Sequence, residues 1–78
     1  MGPGQNLVGR RVKEARGRLK PRLTQEELSR RLCRAGVAID RAGVAKIETG
    51  IRGVLDYEVV AFSRVLGVKA SWLLGLKE

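Results

Sequence analysis

The stretch RAGVAIDRAGVAKIETG, from Arg34 to Gly50, contains the word RAGVA twice, seven residues apart. Seven residues is a helical heptad, so one reading is a single amphipathic helix. That helix would carry Gly36 and Gly43 in its interior, each costing about 1 kcal/mol relative to alanine. It would also leave the start signal at Ile39-Asp40 unused, an apolar residue followed by a capping acid and then by Val44. Both costs vanish if the first copy closes one helix, with Gly36 as its stop, and the second lies inside the next.

The same punctuation recurs along the chain. Thr24-Gln25-Glu26-Glu27 reads as a capping box, with Leu23 and Leu28 at staple spacing. Leu55, Asp56 and Val60 repeat the staple, with Asp56 as the expected cap. Gly36, Gly50 and Gly67 each follow a helical stretch, and Pro21 lies in the first break. Val8, Val12, Ala15 and Leu19 form the stripe of a first helix from about Asn6 to Arg18. A second helix runs from Gln25 to about Ala35, and a third from Arg41 to Thr49 with Val44 and Ile47 inward. The fourth, Tyr57 to Leu66, is apolar on most sides and is expected to be central. Ser71 to Leu76 makes a short fifth helix carrying Trp72, Leu73 and Leu74. No strand alternation occurs. The expected fold is all-α, a compact bundle of five short helices over residues 6–78, preceded by a flexible extension over residues 1–5.

Composition narrows the function. The 78 residues include 16 Lys+Arg against 8 Asp+Glu, a net charge of +8. Such an excess on a small body favours a polyanion, nucleic acid first and an anionic membrane second. Cys33 is the single cysteine and histidine is absent, so neither an internal disulfide nor a metal site is expected, and no cofactor is implied. No apolar run spans a bilayer, and MGPGQN lacks a signal peptide's apolar segment, so the expected location is cytoplasmic, with no membrane partner. Without histidine or paired acids in a cleft, an enzyme is not expected.

The segments LTQEELSRRL, IDRAGVAKIETGIR, LDYEVVAFSRVLGV and SWLL, in this order and spacing, resemble the Cro/phage-repressor (Xre-type) helix-turn-helix family. The resemblance covers Leu7 to Leu76. It implies a lambda-repressor-like DNA-binding domain whose second and third helices form the helix-turn-helix. It also implies a sequence-specific regulator, with repressor as the expected role, that binds a palindromic operator in double-stranded DNA as a homodimer. The connection CRAGVAID is a few residues longer than the tight turn of the shortest members. The alternative is a protein-interaction module of the same fold, such as an antitoxin or an adaptor subunit.

In a helix-turn-helix the second helix of the pair enters the major groove. At about 100° per residue, with Val44 and Ile47 inward, the outward positions of the third helix are Ala42, Ala45, Lys46 and Thr49. Arg41 lies on the flank of its first turn. Arg41 and Lys46 are the candidate donors to base edges, and Ala42 and Ala45, which the resemblance places towards the groove, the candidates for a thymine methyl. Gln25, by the resemblance, anchors the second helix to a phosphate, aided by the helix N-terminus. Thr49 and Arg52 are further candidate phosphate contacts. The resemblance also pairs Glu48 with Arg16, which would keep a carboxylate away from DNA. Arg10, Arg11, Lys13, Arg18, Lys20 and Arg22 read mainly as a solvated face, and Tyr57 and Trp72 as core or dimer packing. Leu73, Leu74 and Leu76 on the last helix are the expected dimer surface. Relatives often carry a small hydroxyl residue at Gly43. Its glycine would let another surface come close, either DNA or the second helix.

Overall fold

A computed structural model describes residues 7–76. The extension expected over residues 1–5 lies outside them, as does Asn6. Among the described residues there are five helices and no strand: α1 (Leu7–Arg18), α2 (Gln25–Arg34), α3 (Arg41–Thr49), α4 (Asp56–Leu66) and α5 (Ala70–Leu73). No helix among them is long and apolar enough to cross a membrane.

The helix ends follow the local chemistry. Thr24 caps α2, accepting from Glu27 N at 3.1 Å, and Asp40 caps α3, accepting from Gly43 N at 2.7 Å. The capping box at Thr24 is only half made, because the Glu27 carboxylate turns outward to Arg30 and Arg31. Gly36, at φ 90°, lets the chain reverse after α2. There Gly36 N donates to Cys33 O and Val37 N to Leu32 O, both at 2.9 Å, a Schellman ending that buries Val37. The two RAGVA words therefore occupy different structures. One is the end and turn of α2; the other is the first half of α3.

The third start differs from expectation. Asp56 is the first helical residue of α4, not its cap, and accepts from Tyr57 N at 2.6 Å. Leu55 occupies the cap position and has no side-chain acceptor. Glu58 replaces the missing half by accepting from Leu55 N at 2.9 Å. The staple pair Leu55 and Val60 stays exposed, unlike Leu23 with Leu28 and Ile39 with Val44, which are buried.

The core is contributed by all five helices. Val12, Leu28, Leu32, Val44, Ile47, Phe62 and Leu73 are its fully buried large side chains. α1 packs against α3, α4 and α5, and α2 against α3 and α4. α4 is less central than its composition suggests. It buries Val59, Ala61, Phe62 and Leu66 while Tyr57 and Val60 face solvent. Among the described residues no element covers that second side. α5 is shorter than expected, and Leu73 is core rather than surface; Leu74 and Leu76 are exposed. Trp72 is half-buried, with the guanidiniums of Arg11 and Arg18 at 4.6 and 5.6 Å from its ring centre. These contacts tie α5 back to α1.

Candidate nucleic-acid interface

α3 is held from below by apolar packing and from one side by charge. Val44 and Ile47 are fully buried. Glu48 Oε2 accepts from Arg16 Nε at 2.8 Å, and Oε1 from Arg16 Nη2 at 3.0 Å and from Gln25 Nε2 at 2.9 Å. Arg16 Nη1 also donates to Leu23 O at 2.8 Å. The side chains are 14% and 2% exposed for Arg16 and Glu48, so this pair is interior. One carboxylate thus joins α1, α2 and α3, and its fork geometry suits arginine rather than lysine.

The Gln25 contact has no counterpart in the sequence reading. Nothing local signals it, because the two residues are 23 positions apart. It orients the Gln25 amide at the start of α2 and leaves its second N–H available. Arg16, Arg22, Gln25 and Arg41 line one groove of about 460 Å³, together with Thr24 and Glu26. Glu26 is paired there with Arg30, at 3.1 Å. Arg22, read as part of a solvated run, therefore stands beside Gln25 and Arg41. Its place depends on the turn that brings the ends of α1 and α2 to α3.

On the outward face of α3, Arg41, Ala42 and Lys46 are exposed and Ala45 is half-buried. Among the described residues neither the Arg41 nor the Lys46 side chain has an ion-pair or hydrogen-bond partner. Thr49 is exposed, and its hydroxyl donates to Ala45 O at 3.0 Å. That leaves its oxygen as an acceptor, which a phosphate does not need.

Arg52 is placed apart from this group. Nη1 and Nη2 reach Glu58 at 3.0 and 2.9 Å, and Nη1 also donates to Gly53 O at 3.0 Å. Arg52 lines a separate cleft with Ser29, Cys33, Asp40 and Gly43. The pairing moves Arg52 from the free cations into the framework of the α3–α4 loop. The Arg52 guanidinium holds the Glu58 carboxyl below the usual range, with the Leu55 N–H adding to this against the opposing effect of burial.

Gly43 lies on the wall of the same cleft as Arg52, and its closest neighbours are not in α2. A β-carbon built there would lie 2.9 Å from Ile39 Cγ2 and 3.1 Å from Asp40 Oδ1. The surface that comes close is the turn immediately before α3, including its own cap. Of the protein surfaces, the one closest to Gly43 is therefore this turn and not the second helix.

The architecture is a lambda-repressor-like helix-turn-helix bundle. A family model described as helix-turn-helix matches residues 12–73, and the chain belongs to that family, in its Cro/C1-type, Xre-like form. It is a DNA-binding helix-turn-helix regulator. No curated protein and no solved structure shows a significant match to the chain.

Proposed function

We propose that this regulator is a sequence-specific repressor that sets α3 in the major groove of a palindromic operator and binds as a homodimer. The observation that carries this reading is the division of charge around α3. Glu48 is buried and paired, Asp40 is held at the helix start, and Arg41 and Lys46 are exposed without partners. A helix bearing free carboxylates would repel phosphate; this one presents cations. Arg41, Ala42, Ala45 and Lys46 face base edges. Gln25, with its remaining N–H and the α2 N-terminus, takes a phosphate, and Arg22 stands beside it.

The dimer surface in this reading is the exposed apolar run at the α3–α4 corner. Ile51 is 77% exposed, and Leu55, Tyr57 and Val60 about half so. A two-fold axis there would pair the same patch with itself and set two α3 helices about 34 Å apart on one face of the duplex.

Duplex DNA should bind with log affinity falling against log salt by about 0.9 per phosphate contacted. Titration of random duplex from low to moderate salt measures this. No detectable binding at low salt would sink the reading.

A further inference from the structure

The groups α3 offers to a groove are of restricted chemistry. Its free polar side chains are a guanidinium and an ammonium, Arg41 and Lys46. Its outward apolar groups are the methyls of Ala42 and Ala45. Both Glu48 oxygens are occupied by Arg16 and Gln25 inside the fold. Asp40 Oδ1 is turned to Gly43 N at the helix start. No asparagine, glutamine or serine lies between Arg41 and Thr49. The side-chain acceptors that remain are the Thr49 oxygen, in the last turn, and Asp40 Oδ2, at the cap before the helix.

We infer that the half-site is read through guanine and thymine. Arg41 takes the O6 and N7 acceptors of a guanine, and Ala42 and Ala45 pack on thymine methyls. The amines of adenine and cytosine go unread. This rests on the DNA-binding reading above and deepens it. The physical reason is donor against acceptor. Bidentate recognition of adenine needs a group that both donates and accepts, and cytosine N4 needs an acceptor. α3 has withdrawn its one carboxylate, Glu48, into the fold and carries no amide. Where Arg41 meets an exocyclic amine, two donors face each other and both lose their water without gaining a bond.

The test uses the 78-residue chain and a random duplex pool, followed by base analogues in the enriched site. Replacing the key guanine by 7-deazaguanine keeps pairing and removes N7; binding should weaken about tenfold. Replacing thymine by uracil removes one methyl, and about a threefold to fourfold loss is expected at a contacted position. Replacing adenine by 2-aminopurine removes the 6-amine from the major groove and keeps N7; affinity should change by less than about twofold. Arg41→Ala should abolish the guanine requirement. Ala42→Gln supplies an amide and should add an adenine preference. A site that tolerates 7-deazaguanine and uracil but is weakened by 2-aminopurine would overturn the inference and leave DNA binding intact. So would a pool that binds yet enriches no sequence. Failure of all duplexes to bind at low salt would overturn the DNA-binding reading and this inference with it.

Discussion

Two identical glycines in two identical words meet different demands. Gly36 is at φ 90° with open space around it, so a side chain there is strained by backbone rather than by neighbours. Gly43 is inside a helix, where alanine would ordinarily gain about 1 kcal/mol. Here the added carbon would press on Ile39 Cγ2 at 2.9 Å, on a buried and β-branched side chain that moves little. Gly43→Ala should therefore lower the melting temperature, by a few degrees. A rise of several degrees in a thermal melt would show that the turn yields. Glu58 is the other residue whose surroundings set a measurable property. Its carboxyl is lowered chiefly by the hydrogen bonds from Arg52, whose own guanidinium is raised in turn. The native form therefore binds its proton less readily than the unfolded chain does. The stabilisation is complete above the unfolded glutamate range of about 4.3 and is lost as pH falls through the lowered native value. Denaturation at stepped pH should show Glu58→Gln less stable near neutrality and flatter towards acid than the parent. Parallel curves for the two proteins would remove Glu58 from the account.

At the scale of elements, α3 is aimed by one carboxylate. Glu48 links it to α1 through Arg16 and to α2 through Gln25. Removing Glu48 leaves the Arg16 guanidinium interior without its counter-charge, a loss of about 3 kcal/mol. In a domain of this size each 1 kcal/mol moves the melting temperature by roughly 4–8 °C. Glu48→Ala should thus drop the melt by about 10 °C or more. The exposed pair Arg18–Glu14 on α1 is the contrast, and Glu14→Ala should change the melt very little. Equal, small effects from both substitutions would mean that Glu48 behaves as a solvated acid. The start of α4 makes a related point. With leucine at the cap, Glu58 both closes the helix start and fixes Arg52, so the α3–α4 loop and the helix start stand or fall together.

At the scale of the molecule, the charge excess is carried by bases the fold leaves unpaired. The described acids are engaged: Glu26, Glu27, Glu48, Glu58 and Glu14 with arginines, Asp40 and Asp56 with backbone N–H groups. Arg22, Arg41 and Lys46 are left to a partner. The exposed apolar corner at Ile51, Leu55, Tyr57 and Val60 is the surface the proposed dimer would use. Sedimentation of the parent and of Tyr57→Glu should show weaker dimerisation in the variant, most clearly with operator DNA present. Unchanged association would place the dimer elsewhere, with Leu74 and Leu76 the next surface to alter.

Caps, stops and stripes depend on residues within about four positions of one another, and these were legible in the chain. α3 runs from Arg41 to Thr49 as its signals predict, and the two RAGVA words separate at Gly36. The all-α class and the outward face of α3 followed from the same local chemistry. The tertiary structure decided what lies across larger gaps. Gln25 meets Glu48 over 23 positions, Arg11 and Arg18 find Trp72 at the far end of the chain, and Arg41 shares a groove with Arg22. It also decided which side of α4 is covered. Periodicity shows that a face is apolar, but its burial depends on whether a neighbour reaches it. Among the described residues the helices that cover Phe62 leave Tyr57 and Val60 bare.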